Sequence, residues 1–566
     1  MKKILFFLII VTCLTVFSED FEIKPVVINA YRTEKAEEFI NDHKFYDNDF
    51  NLFSEMDTFF SQNSITYQNN SSPGSPLTAG LDGAFNRHTL KTFDGVKLNS
   101  RASGDFDISL LDPEMISSIS IIRNSASGIF GGQGSGGVMS FRGLNYSHPV
   151  IGVKVGYAGL KKIYYKDHLN NTGSIFVSNR EYNGVRAWDS GRQNTFYLKN
   201  NVDKIQYSLL ITDRFKKIAG ASNFPTIGNW QDDGMNIWSI QYEPRKNLSC
   251  KIGFIDRRTD FYDKTEDKVQ PTDYTTLNIE AVYRKKGFSG GVSHEKTDFD
   301  SKQFIDTDSD FVSDSWDISE KDENITSFFI EKLLKGQFFV TARYDDHSEF
   351  DSETVYNVYY RPDDSISIGY GKGYYTPTFQ DLYWPVETFA AGNPNLTPEE
   401  SDNYSFEYST DDLRVYIYRN EYTDLIEWDG NYPDFRWRPT NVSEATVNGI
   451  DIDYEINKSI SLFFSYCDPE KSNGDKLNYR ELNGGGLVYR PDEKSEIILR
   501  KIGRRYFAPG VFDKSVYTAD INWNNKNSSL SIQNVTDKNY TIMPNYPDAE
   551  RKVVFSIEIP IQKSRK

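Results

Sequence analysis

Residues Gly128 to Phe141 read GIFGGQGSGGVMSF, six glycines in fourteen residues, and the meaning of those glycines decides the fold. Taken literally, Gly132, Gly134 and Gly137 fit G-x-G-x-x-G. A dinucleotide-binding turn of that form needs a strand before it, a helix after it and an acidic residue about 20 positions on. The strand is present, since Ile119, Ile121 and Ile122 lie in ISSISIIRN. The helix is not. VMSFRG follows, with β-branched and aromatic residues and a further glycine, and no acidic residue stands near Tyr157 in KVGYAGL. No Gly-Lys-Ser/Thr is present to make a P-loop. What remains is a glycine turn between two strands, where a positive φ or a close backbone approach excludes Cβ. The rest of the chain must say what approaches.

The 566 residues carry a formal net charge of −17 and a mean hydropathy of −0.58. Yet 15% are aromatic, with 36 Tyr and 39 Phe. A polar average with so many rings suits numerous short strands, half apolar and half wet. A membrane β-barrel has that texture, because lipid-facing and lumen-facing residues alternate and cancel in the mean. The acidic balance argues against nucleic acid, which needs a basic face. The N-terminus, MKKILFFLIIVTCLTVFSED, reads as a cleaved export signal: Lys2 and Lys3, an apolar run from Ile4 to Val11, then Val16 and Ser18 at the −3 and −1 positions. Thr12 before Cys13 is a poor match to a lipoprotein site. Past the signal no run of 18 apolar residues occurs, so any membrane passage would be by strands. Cys250 and Cys467 alone are no disulfide framework for a chain this long.

From about Leu144 onward, strand patterns recur to the end. NGIDIDYEI puts Ile450, Ile452, Tyr454 and Ile456 on one face and Asp451, Asp453 and Glu455 on the other. VVFSIEI aligns Val553, Phe555, Ile557 and Ile559. Period two means strands with one apolar face, and no helical pattern is expected beyond Leu144. So long a meander is too large for one sandwich, whereas closure into a barrel removes its edges. At roughly 10 residues per spanning strand, about 20 to 22 strands use this length. A lumen that wide needs a plug, and the N-terminal part supplies the candidate. The expected fold is therefore an all-β transmembrane barrel of about 22 antiparallel strands with an N-terminal α+β plug domain inside. Its expected divisions are a signal peptide at 1–18, a connecting segment at 19–33, the plug at 34–143 and the barrel at 144–566.

On these residues the chain resembles the TonB-dependent outer-membrane receptors. HTLKTFDGVKLN (His88 to Asn99) is similar to the family's strand and turn around Asp-Gly-Val, and ISLLDPEMISSISIIRNSASGIFGGQGSGGVMSF (Ile108 to Phe141) to its plug signature. Arg-Asn-Ser at Arg123 to Ser125 departs from the usual Arg-Gly-Pro. RYDDHSEF, GKGYYTPTFQDLYWP and GNPNLTPEES resemble barrel landmarks, and NEYTDLIEW with NVSEATVNGIDIDYE looks most like the cobalamin-transporter branch.

The resemblance implies active uptake rather than enzymatic chemistry, in the bacterial outer membrane. Pro25, Val26, Val27, Ile28, Asn29 and Ala30 look like the TonB box, which would pair as an added strand with the energy-transducing TonB protein; the plain reading is an N-terminal plug strand. Two plug loops resemble ligand-facing apices. Gln68, Asn69, Asn70 and Ser71 represent one, and Arg101, Ala102, Ser103 and Gly104 the other. Arg123 within the lumen would need an acidic partner, expected from barrel glutamates. No cofactor is required. Asp306, Asp308 and Asp310 are spaced like calcium ligands, but Phe311 stands where an EF-hand has glycine and Asp317 where it has glutamate, so a solvated acidic loop is the favoured reading and structural calcium the alternative. The expected partners are TonB, outer-membrane lipid and a ligand, a corrinoid first and a ferric siderophore second. The absence of His between Pro377 and Asn393 disfavours haem. A passive porin or an adhesin is the rival reading.

Overall fold

The computed structural model describes residues 44–561 except 48–55, 64, 70–71, 146–147, 170–171, 266, 306–313, 385–389, 430–436, 443, 478–479, 509–510, 541, 544 and 547–549. Period-two alternation organises most of it. Along the strand Lys552–Pro560, Val553, Phe555, Ile557 and Ile559 point outward and are 41, 41, 37 and 55% exposed, while Val554 turns inward and is buried. In Ala445–Asn457 the outward row includes Tyr454 and Ile456, and Asp451 faces the lumen. An outer face of Ile, Val, Phe and Tyr is stable only against lipid.

Twenty-two such strands, from Val150–Gly156 to Lys552–Pro560, form a closed barrel in which every neighbour is antiparallel. The last strand pairs with the first, Val554 opposite Gly156 through Pro560 opposite Val150. At one end the strands are joined by tight turns such as 203–204 and 246–247, and at the other by long connections such as 376–398 and 424–444. The long-loop end faces outward in barrels of this type. The six strands from Ile205–Ala221 to Asp314–Leu334 run 16 to 22 residues, well beyond what spans a bilayer, and raise one side of the wall.

The plug fills the lumen. Its mixed sheet has the order Lys44–Asp47, Ile116–Ile122, Val138–Gly143, Leu90–Phe93, Val96–Lys97, and only Leu90–Phe93 with Val138–Gly143 is parallel. Ile119, Ile121, Met139, Phe141 and Phe93 form the plug core with Phe59 and Phe60 of the helix Met56–Gln62, and the same cluster runs on into Tyr197, Leu210, Met235 and Ile255 of the barrel wall. A separate hairpin, Thr66–Asn69 with Leu77–Gly80, lies outside the five-stranded sheet.

The glycine-rich stretch makes a one-turn helix, Ser127–Phe130, and a 3-10 turn, Gly132–Gly134, before the strand Val138–Gly143. What approaches is the barrel. A Cβ on Gly128 would stand 2.3 Å from Thr341 Oγ1 and 2.5 Å from Asn357 Oδ1, and one on Gly132 would stand 2.6 Å from the Tyr374 ring. The Gly128 N–H donates to Asn357 Oδ1 at 2.8 Å. Gly132→Leu is therefore expected to overpack this seam and loosen plug docking by about 1–3 kcal/mol. Faster protease nicking of the plug in folded barrels would show it; an unchanged rate would count against the close fit.

The expectation of no helix beyond Leu144 fails at Phe379–Tyr383. Five residues are too few to show a period, but a capping box holds them. Thr378 Oγ1 accepts from Asp381 N at 3.1 Å, and Asp381 Oδ2 accepts from Thr378 N at 3.0 Å.

Candidate functional site

That short helix covers the second plug apex. The N–H groups of Phe379 and Gln380 donate to the carbonyls of Arg101 and Ala102, at 2.9 and 3.1 Å, so first-turn donors left over by the helix are satisfied by the plug. Arg101 answers from below. Its Nε and Nη2 donate to Glu323 Oε2 and Oε1 at 2.6 and 3.1 Å, and Nη2 also reaches the Pro377 carbonyl at 3.1 Å. Paired and forked in this way, the buried guanidinium is fixed in geometry as well as charge. Phe379 stacks on Phe299 across the mouth, centroids 5.1 Å apart, and Lys321 lies over the Tyr383 ring. The connection 376–398 thus reaches across the mouth to the barrel's raised side.

The first apex is held in the same manner. Asn69 is buried and donates to Asp57 Oδ2 at 3.1 Å, and Gln68 is half-buried. Ser72 Oγ donates to Asp189 of the barrel connection 183–190 and accepts from Val185 N. Of the residues expected at the apices, Arg101, Ala102 and Gly104 are buried beneath the connection 376–398, Ser103 is exposed, and Asn70 and Ser71 lie outside the described residues. Barrel loops thus cover the described residues of both apices in part and leave Ser103 exposed.

Arg123 has the acidic company its burial requires, but from aspartates rather than the glutamates expected. Nη1 lies 2.7 Å from Asp82 Oδ1 in the plug and 2.5 Å from Asp451 Oδ2 in the wall, and the guanidinium faces the Tyr416 ring. Other charged contacts ring the plug: Asp57 with Lys552, Asp94 with Lys199, Lys97 with Glu295, Asp107 with Arg214, and Asp112 and Glu114 with Lys162. Burial pushes the Asp107 carboxyl up, but Arg214 and Lys216 hold it below the usual range.

The sequence reading missed a relay that joins the glycine turn to the second apex. Arg343, Asp345 and His347 alternate inward along RYDDHSEF. Arg343 Nη1 reaches the Ile129 carbonyl at 3.4 Å, and Nε meets Asp345 Oδ1 at 2.6 Å. Tyr374 Oη donates to Asp345 Oδ2 and bonds His347 Nε2, whose ring faces Glu323, the partner of Arg101. The period-two spacing of the three polar residues was the available signal.

His88 is fully buried in the plug between Tyr375 and Tyr422, with Nε2 2.8 Å from Glu399 Oε2 but without hydrogen-bond alignment. Burial holds its pKa below the ordinary imidazole value; Glu399 pulls the other way, and Arg87 and Arg480 add to the lowering. The unfolded chain therefore takes up a proton near pH 6.5 that the folded one refuses, so stability falls as pH drops below about 6.5 and is unaffected above it. His88→Gln should flatten the fall in denaturation midpoint between about pH 7 and about pH 5.5; equal slopes in both proteins would contradict this.

A closed barrel with a lipid-facing apolar wall and a plug locked across its lumen defines a gated outer-membrane receptor. The chain belongs to the TonB-dependent receptor family. Residues 123–546 match the family described as TonB dependent receptor-like, beta-barrel, and residues 56–138 match the TonB-dependent Receptor Plug Domain. Membership agrees with the expectation that the chain is not an enzyme. It is 22% identical over 442 residues to the vitamin B12 transporter BtuB of Vibrio vulnificus (strain YJ016), covering 66% of this chain and 65% of that relative. The chain thus spans about 65% of the length of such curated relatives. Among solved structures it is similar to the siderophore receptor PirA from Acinetobacter baumannii (TM-score 0.70, 15% identity, 93% of this chain and 99% of that one). It is also similar to the ferric enterobactin receptor PfeA from Pseudomonas aeruginosa (TM-score 0.71, 14% identity, 94% and 99%). At such identities these two carry the fold alone. The signal at 1–18, the TonB-box residues 25–30 and Asp306, Asp308 and Asp310 lie outside the described residues.

Proposed function

We propose that this receptor takes up a scarce, large ligand across the outer membrane at the expense of TonB, and that the ligand is a corrinoid. The observation that carries the transport reading is the plug itself, bonded to the wall by Arg101, Arg123 and the lysine–carboxylate contacts, which leaves a passive porin no open lumen. The corrinoid follows from the relatives named as vitamin B12 transporters. A ferric siderophore is the second reading, favoured by the solved neighbours. TonB would engage the extended residues 25–30 by strand addition.

Titration of the purified receptor with cyanocobalamin, and separately with ferric enterobactin, decides between the ligands. Sub-micromolar binding of cyanocobalamin is expected, with any loss on calcium chelation assigning a role to Asp306, Asp308 and Asp310. Binding of ferric enterobactin alone would move the receptor to the siderophore class, and binding of neither would overturn both ligands.

A further inference from the structure

We infer that the ligand's route through the lumen opens on one side of the plug, between the hairpin Thr66–Asn69/Leu77–Gly80 and the barrel strands Ile460–Lys471, Asn483–Asp492 and Ser495–Ile502. The inference rests on the transport reading above and says where that transport passes.

Three independent observations point to this sector. The charged contacts that hold the plug are unevenly placed. They fall on wall residues Lys162, Lys199, Arg214, Glu295, Glu323, Glu399, Asp451 and Lys552, and on Lys154 beside Glu114, and none lies on the five barrel strands between residues 460 and 533, where the plug is held instead through Arg480 Nε on the Gly83 carbonyl.

The same sector is hollow. A cavity of about 50 Å³ lies between Ile65 and Tyr67 of the plug and Phe463, Cys467, Arg500 and Arg505 of the wall. That is room for several waters between plug and wall. Its surface is polar and incompletely satisfied. Among the described residues, Arg500 Nε and Nη1 and Arg505 Nε are buried donors with no acceptor. Donors of this kind are costly unless solvent or a passing acceptor meets them, so the seam is already suited to a polar ligand.

The plug element on this side stands apart from the main plug sheet, held to the rest by the side chains Tyr67, Leu77 and Ala79 in the core and by Asn69 on Asp57. The hairpin is a two-stranded sheet of its own, so moving it breaks no ladder bond of the five-stranded sheet. Opposite it, Gly484 lines the cavity and puts no side chain into it.

The chain carries its own reporter. Cys467 lines the cavity and is buried, whereas Cys250, the other described cysteine, is on a strand in a different sector. In full-length receptor carrying Cys250→Ser, Cys467 should react with a small membrane-impermeant thiol reagent in energised cells supplied with ligand, and stay unreacted in de-energised cells, with the modified peptide mapped by mass spectrometry. The second measurement is Gly484→Trp. The atoms nearest its Cβ position are Glu481 Oε1 at 2.6 Å and Ser465 Oγ at 3.2 Å, so Glu481, which accepts from Gly503 N and pairs with Arg505, must shift to admit the ring. Surface binding should persist while uptake falls to the level of de-energised cells.

The probes are cyanocobalamin and ferric enterobactin, each given to cells expressing the wild-type receptor. Wild-type uptake with an unreactive Cys467, or with normal uptake through a folded Gly484→Trp receptor, overturns the route and leaves transport standing. Wild-type uptake of neither probe overturns the transport reading for these ligands, and the route with it. Should Gly484→Trp fail to assemble, the Cys467 measurement decides alone.

Discussion

Arg123→Met is expected to leave the barrel assembled but its lumen leaky, so that cells expressing it admit large hydrophilic antibiotics excluded by the wild type. The guanidinium is 3% exposed and holds two carboxylates, Asp82 and Asp451, that are 1% and 7% exposed. Methionine keeps the bulk against Tyr416 and removes the charge. Two buried carboxylates then face one another with no cation between them. Breaking a buried pair in this way costs about 3–5 kcal/mol, because the abandoned charge is worse than the pair was good. Asp82 keeps hydrogen bonds from Tyr416 Oη and the Asn124 N–H, but both are neutral donors. Since about 1.4 kcal/mol is tenfold, the undocked population should rise more than a hundredfold. The companion variant, Arg123→Met with Asp82→Asn and Asp451→Asn, replaces the whole ionic cluster and should recover most of the tightness, as full replacement of buried ion pairs does elsewhere. Equal antibiotic sensitivity of wild type and Arg123→Met would show that plug docking does not depend on this cluster.

Val27→Pro should abolish energised uptake and leave ligand binding intact. The residues Pro25 to Ala30 are read as a strand that joins a partner's sheet through its backbone. Proline at position 27 deletes one N–H from that ladder and fixes φ where an extended strand needs freedom, so it removes a bond and adds a clash. The proposed ligand contacts lie on the plug apices and barrel loops rather than on this segment, so the titration curve should not move. Accumulation of labelled ligand should fall to the level seen in cells without TonB. Normal accumulation would assign residues 25–30 to an ordinary strand of the plug.

The barrel was legible because its outer face obeys one rule. Lipid tolerates no polar residue on Val553, Phe555, Ile557 or Ile559, so strict alternation survives in the sequence. The same alternation exposed Asp451 as lumen-facing, although nothing local could pair it with Arg123, 328 residues away. The extent of the strands was less legible. Phe224–Arg245 contains Pro225, Gly228, Gly234 and Pro244, which read as turn signals yet sit within one 22-residue strand. Above the bilayer such residues need only pair with neighbours and are released from the apolar pattern. The apices were legible as loops but not as covered loops. Whether the connection 376–398 closes over Arg101 depends on a helix of five residues and on Glu323 from a distant strand. No periodicity announces a helix that short, and only the Thr378–Asp381 capping box hinted at it.

The seal between Lys552–Pro560 and Val150–Gly156 sets an order of events in biogenesis. Until that last seam forms, the growing sheet has two unpaired edges and an open side, and the plug, with its five-stranded sheet, hairpin and short helices, can be enclosed laterally. Once the seam is made, the same body could enter only end-on, past the connections 183–190 and 376–398 that later rest on it. The plug precedes the wall in the chain, so lateral enclosure as the sheet curls requires no threading through a closed ring.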